Sequence, residues 1–349
     1  MNLIGEHLDY NGGSVLPIAI DRELLVKARA RDDGVVNVWS RGEHASFPVT
    51  CTPGSVGGWA AYPAGVVWAL VQSGVGVAGA DLVLETTLPI GAGLSASAAL
   101  TCGVALALDD LAGTALDRTE LAAAAARAEN DFVGAPTGLM DQYAVLFASP
   151  GEALHLDFAA TPPARTPVPA TWAERGLVLA VVDTGVHHRL AAGEYAARRT
   201  ECEAAADRLG LPRLAAITLD GLLALDDDLL KKRARHVLTE STRVRGAVTA
   251  LRRGDWNQFG AILTSSHASL RDDFEVSCPE LDTAVELALE SGALGARMTG
   301  GGFGGSAIAL LPPQRVDGLR TRVEAAFTAR GWPSPHVFTV SPSAAASRA

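Results

Sequence analysis

Between Gly5 and Gly12 the chain carries Glu6, His7, Asp9, Tyr10 and Asn11: two carboxylates, an imidazole, a phenol and a carboxamide. Beside the apolar run Val15–Ile20, this density of donors and acceptors suits a site that grips several hydroxyls at once. Asn11-Gly12-Gly13 also makes a good turn between two strands, and from this segment alone the two readings stand level. A second cluster, Leu88-Pro89-Ile90-Gly91-Ala92-Gly93-Leu94-Ser95-Ala96-Ser97, joins a strand-like run to a nearly all-apolar helix. Glycines let the backbone approach an anion closely, and the free N–H groups and dipole at the helix start favour phosphate there. The lysine of a GxxxxGK[ST] loop is absent, so this is not the usual P-loop.

Gly91-x-Gly93-x-x-Ala96 also meets the loose dinucleotide fingerprint. That fold needs a second strand ending in an acidic residue about 20 positions on. Asp109 and Asp110 instead arrive early on what reads as the same helix, and a further helix starts near Asp117, so the phosphate-loop reading is preferred.

A third cluster runs Ala128-Glu129-Asn130-Asp131-Phe132-Val133-Gly134-Ala135-Pro136-Thr137-Gly138-Leu139-Met140-Asp141-Gln142. Glu129 ends a helix and Asp141 lies beyond a Gly/Pro turn, so different elements could aim two carboxylates at one site. Phosphoryl transfer needs such a pair, one to hold Mg²⁺ and one to accept or orient the attacking hydroxyl's proton. Alone, such a pair is more often a helix end and a cap. A fourth cluster holds His187-His188, then Tyr195; neighbouring residues diverge in a strand and no third ligand has metal spacing, so a metal site is disfavoured there. The fifth, Gly295–Ser306, has five glycines in the six positions 300–305, a costly stretch to order unless close backbone approach requires it.

These groups need a scaffold. Strand-like runs at Val35–Ser40, Leu82–Leu88, Ala153–Phe158, Leu177–Asp183, Ser306–Leu311 and Val337–Val340, between longer helical stretches, predict a mixed helix and strand protein. Thr114-x-x-Asp117 before an alanine-rich run reads as a helix start and Gly134-Ala135-Pro136 as its stop. Thr161–Pro169, with four prolines, reads as a linker or exposed loop and places the domain boundary near it. Lys231-Lys232-Arg233-Ala234-Arg235, flanked by Asp226–Asp228 and Glu240 in a helical pattern, reads as a solvated helix face rather than a nucleic-acid patch.

A chain of 349 residues supports about two cores. With 48% hydrophobic but only 5% aromatic residues, alanine and the aliphatics must do most of the packing. A net charge of −10 argues against general affinity for nucleic acid or anionic membrane. The singly scattered Cys51, Cys102, Cys202 and Cys278 fit a reducing cytosol, and the lack of a leader or long apolar span predicts a soluble, cytoplasmic protein.

Taken in order and at these separations, all five clusters resemble galactokinases, members of the GHMP small-molecule kinase superfamily. Arg233–Val237 and Ser269–Leu281 add to the likeness, which covers essentially the whole chain. The resemblance implies an α+β fold of two GHMP kinase domains: an S5-domain-2-like domain over 1–165 and a ferredoxin-like domain over 166–349, with the site in the cleft between. It assigns Glu6, His7, Asp9, Gly138 and Tyr195 to the sugar, and Gly91, Ala92, Gly93, Leu94, Ser95, Ala96 and Ser97 to ATP phosphates. Ser97 and Glu129 match the Mg²⁺ ligands, and Asp141 the catalytic base.

The implied reaction is ATP- and Mg²⁺-dependent phosphorylation of the anomeric hydroxyl of α-D-galactose, by a monomer without nucleic-acid or membrane partners. A sibling kinase for N-acetylgalactosamine or arabinose, and a non-catalytic galactose and ATP sensor, are the alternatives. Two departures bear on the choice. The family's loop usually reads Gly-Leu-Ser-Ser-Ser, and the middle serine is Ala96 here. The family also carries an arginine one position before Met1, so the start is expected to lie inside a longer motif, with the first strand of the N-terminal domain ahead of it.

Overall fold

A computed structural model describes residues 1–89, 91–187 and 191–348. It divides into two compact units, one of 1–21, 90–94 and 149–343, the other of 22–89, 95–148 and 344–349.

The second unit is a four-stranded sheet covered on one face by helices. Its strands lie in the order Leu24–Ala30, Ala80–Thr86, Val35–Ser40, Glu43–Pro48, antiparallel except for the central parallel pair. Register sets Val26 opposite Leu84 and Val38 opposite Leu82 on the helix side, while Leu25, Val83 and Trp39 stand exposed on the other face. Leu24–Ala30 and Glu43–Pro48 are not among the expected strands: Lys27 and Arg29 alternate through the first, and the second is largely polar and exposed, with Phe47 its one buried residue. The helix Ala96–Ala112 packs on the sheet, with Gly103 close enough that an added Cβ would sit 3.0 Å from Val26 Cγ2. Asp117 caps the helix Arg118–Arg127 in a capping box with Glu120. That helix passes into a π-helical turn, Ala128–Val133, which Gly134 ends at φ 81°.

The first unit has an antiparallel sheet in the order His336–Val340, Val178–His187, Gly304–Leu311, Gly295–Thr299. The last two strands are buried throughout. Part of the expected glycine loop is thus core strand, its small residues admitting neighbouring backbone: a Cβ on Gly295 would sit 1.9 Å from the Gly260 carbonyl oxygen. A smaller sheet joins Ser14–Val15, Glu152–Asp157 and Ala164–Pro169. Ala164–Pro169 therefore departs from the expected loop, its prolines tolerated because the strand lies at an edge.

The helix Asp228–Arg253 corrects the reading of the basic run. Arg233 is 1% exposed: its Nε lies 2.6 Å from Glu201 Oε2, Nη1 donates to the Asp273 carbonyl at 2.7 Å, and Nη2 lies 2.9 Å from Glu275 Oε2. Glu240, expected to flank a solvated face, is fully buried. A solvated cation and a paired interior one look alike in sequence.

Candidate active site

In the second unit, Glu129 occupies the π-helical turn, 2% exposed. Thr101 Oγ1 donates to its Oε1 at 3.1 Å; Thr137 Oγ1 and Ser97 Oγ reach its Oε2 at 3.3 and 3.5 Å. Burial, aided by the adjacent charge of Asp141, pushes Glu129 up to about 7, against the hydrogen bonds from Thr101, Thr137 and Gln142. The same two carboxylates add to burial in pushing the Cys102 thiol up. Asp141 lies in the first turn of the helix Met140–Phe147, where the dipole favours negative charge. Gly138, two residues before that helix, is half-buried. Glu129, Ser97 and Asp141 are thus gathered in one unit, joined by Thr101 and Thr137, which the sequence reading had left without a role.

The glycine-rich loop leads into the helix Ala96–Ala112. Gly91 and Gly93 adopt φ 82° and 71°, and Ser95 stands left-handed at φ 61° without a side-chain cap. The first-turn N–H groups are therefore not taken by a cap, as an anion site requires. Ala96 opens the helix and offers its backbone but no hydroxyl. Segment 300–305 backs the loop within the first unit: a Cβ on Gly300 would sit 3.0 Å from the Gly93 carbonyl oxygen, and one on Gly305 3.4 Å from that of Ala92.

The N-terminal motif is also in the first unit. Glu6, His7 and Asp9 are all buried. Glu6 is held on every side: Oε2 lies 2.7 Å from Arg297 Nη2 and accepts from Asn2 Nδ2 at 2.5 Å, while Oε1 accepts from Gly300 N at 2.9 Å and Thr299 Oγ1 at 3.1 Å. Burial raises Glu6 above the usual carboxylate range, with Arg297 opposing. His7, at φ 64°, pairs through Nδ1 with the Tyr10 hydroxyl at 3.0 Å, and its buried Nε2 has no partner of normal hydrogen-bond geometry. Burial above all holds His7 well below its ordinary range, so it acts as a neutral imidazole. The His7 and Tyr195 rings lie 5.4 Å apart, and a Cβ on Gly301 would sit 3.2 Å from Tyr195 Cδ2. Four of the residues expected at the sugar, Glu6, His7, Asp9 and Tyr195, thus belong to one unit, with Arg297 and Thr299 as unforeseen supports.

His187 ends its strand, and its neighbour His188 lies outside the described residues. Among the described residues no group of three or more His, Cys, Asp or Glu side chains could hold a metal ion, and no helix is long and apolar enough to cross a membrane.

Fold and site define a GHMP kinase. The profile of the GHMP kinases N terminal domain matches residues 61–149, and that of the GHMP kinases C terminal domain matches 247–329. A mevalonate kinase of known structure shares the fold at a TM-score of 0.69 and 17% identity, over 97% of this chain and 96% of its own. Within that superfamily the chain belongs to the galactokinase family. The galactokinase galactose-binding signature matches residues 1–30. The galactokinase of Streptomyces coelicolor is 46% identical over 100% of this chain and 92% of its own length, and that of Mycobacterium tuberculosis 44% over 97% and 94%. The crystal structure of Lactococcus lactis galactokinase complexed with galactose matches with a TM-score of 0.91 at 33% identity, covering 99% of this chain and 92% of that one.

Proposed function

We propose that the chain transfers the terminal phosphoryl group of ATP to the anomeric hydroxyl of α-D-galactose, giving galactose 1-phosphate and ADP. The observation that carries this reading is the buried Glu129 carboxylate, bonded to Ser97 and neighbouring Asp141. Asp141 accepts or orients the proton of the anomeric hydroxyl as its oxygen bonds to phosphorus and the bond to ADP breaks. The backbone N–H groups of the loop Gly91, Ala92, Gly93, Leu94, Ser95, Ala96 and Ser97 hold the phosphates, on a helix start suited to anions. Glu6, His7, Asp9, Tyr195 and Gly138 read the sugar, and His7 Nε2, buried and unsatisfied, is a group that a sugar hydroxyl would pair.

Ser97 and Glu129, hard oxygen donors that lie together, would hold Mg²⁺ beside the phosphates. Burial has left Glu129 high enough that a cation would favour its ionised form. When bound, the ion neutralises charge on the phosphates. The proposed setting is the cytoplasm, where the free, buried cysteines stay reduced, and the proposed state is a monomer.

The test is ADP release by the purified chain with Mg-ATP and each of several sugars. A site whose buried polar groups pair with substrate hydroxyls rejects an epimer that leaves them unpaired, so galactose is expected to exceed glucose by ~10²-fold or more in kcat/KM. A preference for N-acetylgalactosamine or arabinose overturns the sugar assignment. Galactose binding without ADP release replaces the kinase with a sensor.

A further inference from the structure

The segment Arg233–Val237 has no task in the reaction above, yet it contains His236, with Glu240 one helical turn beyond. Both are fully buried, and both reach the backbone of the N-terminal motif. Glu240 Oε1 accepts from Gly5 N at 3.0 Å and from Ser266 Oγ at 2.7 Å, while its Oε2 lies 2.6 Å from Arg243 Nε. His236 Nε2 donates to the Glu6 carbonyl oxygen at 3.2 Å, and its Nδ1 accepts from Ser269 Oγ at 2.9 Å. Burial would raise the Glu240 carboxyl, but Arg243 foremost, with Arg297 and the bond from Ser266, brings it down to about 2, and burial keeps His236 neutral at about 4.

The backbone between these bonds is unusual. Gly5 stands at φ +103°, where a Cβ would lie 2.8 Å from the Ser14 carbonyl oxygen and 2.9 Å from Val15 Cα. His7 follows at φ 64°, a conformation that costs a residue with a side chain about 1 kcal/mol or more and persists only when its surroundings hold it. Phe274 closes the arrangement, its ring 4.6 Å from His236 and 4.5 Å from His7. A helix more than 200 residues away in sequence thus grips the N–H of Gly5 and the carbonyl of Glu6, the groups that fix where the Glu6 and His7 side chains project.

We propose that His236 and Glu240 are positioning residues for galactose: without touching the sugar, they hold Gly5–His7 in its left-handed path and so set sugar affinity. This rests on the reading of the N-terminal motif as the sugar site. The experiment measures kcat and KM for galactose and for ATP, with thermal unfolding, in Glu240→Gln, His236→Phe and Ser266→Ala, the last removing one bond to Glu240 while keeping its charge and ion pair. The first two are expected to raise galactose KM about tenfold or more with ATP KM within about twofold, and Ser266→Ala to raise it about threefold. A merely structural role lowers the unfolding temperature and leaves galactose KM unchanged, or raises both constants together; either result overturns the proposal. If Glu240→Gln and His236→Phe do not fold, an unchanged galactose KM in Ser266→Ala overturns it. Failure of the wild-type chain to phosphorylate galactose instead removes the proposed function, and is read in the same assay.

Discussion

Ser306 Oγ donates a hydrogen bond of 2.7 Å to the carbonyl oxygen of Ala92, and both residues are fully buried. The bond ties the start of a core strand to the glycine-rich loop assigned to ATP phosphates. A loop whose glycines permit many conformations needs such an anchor if its N–H groups are to point one way.

Ser306→Ala leaves that carbonyl unsatisfied, which is expected to cost about 1–3 kcal/mol of stability. ATP KM should rise several-fold while galactose KM holds. Denaturant unfolding and steady-state kinetics check both, and an unchanged ATP KM would detach Ser306 from the loop's function.

Asp141→Asn keeps shape and hydrogen-bonding capacity but cannot take up a proton. Turnover is expected to fall by roughly 10²-fold or more with galactose binding retained, measured by calorimetry beside the ADP-release assay. Near-wild-type turnover would remove Asp141 from the mechanism.

Glu129 gives the pH prediction. Its carboxyl moves from an ordinary 4.5 to about 7 on folding, so between those values the folded chain holds a proton that the unfolded chain has released. Stability contributed by this group is therefore present below pH 4.5 and is lost as pH rises through 7. Glu129→Gln removes the effect: without divalent cations its stability relative to wild type should improve by about 3 kcal/mol between pH 4.5 and 8. Parallel pH profiles for the two proteins would contradict the shift.

Gly65→Ala, in the helix Ala61–Gln72 that packs on the turn carrying Glu129, tests the seat of that carboxylate. In an open helix the change favours stability by ~1 kcal/mol. Here a Cβ would lie 2.9 Å from the Ala128 carbonyl oxygen, so a loss of about 1–3 kcal/mol is expected, with a higher Mg²⁺ requirement. Thermal unfolding supplies the sign, and a gain in stability would show that the helices part at no cost.

Much was legible without coordinates because it is local. The helix start near Asp117, the Gly134 stop, the strand Val35–Ser40 and the glycine loop entering a helix each depend on a few neighbouring residues whose backbone preferences agree. The galactokinase resemblance is legible for a related reason: its motifs are short runs whose order and spacing survive in the chain itself, and the family comparisons agree with it.

Burial and pairing between distant residues were decided by the tertiary structure alone. Nothing local distinguishes Arg233, walled in by Glu201 and Glu275, from the more exposed Arg235 two positions on. Likewise Arg297 gains its importance from Glu6, and Glu240 from Gly5, across more than 200 residues. A charged side chain has the same identity in water and in a core; only its surroundings determine whether it is solvated, paired or shifted in pKa, and those surroundings exist only once the chain has folded.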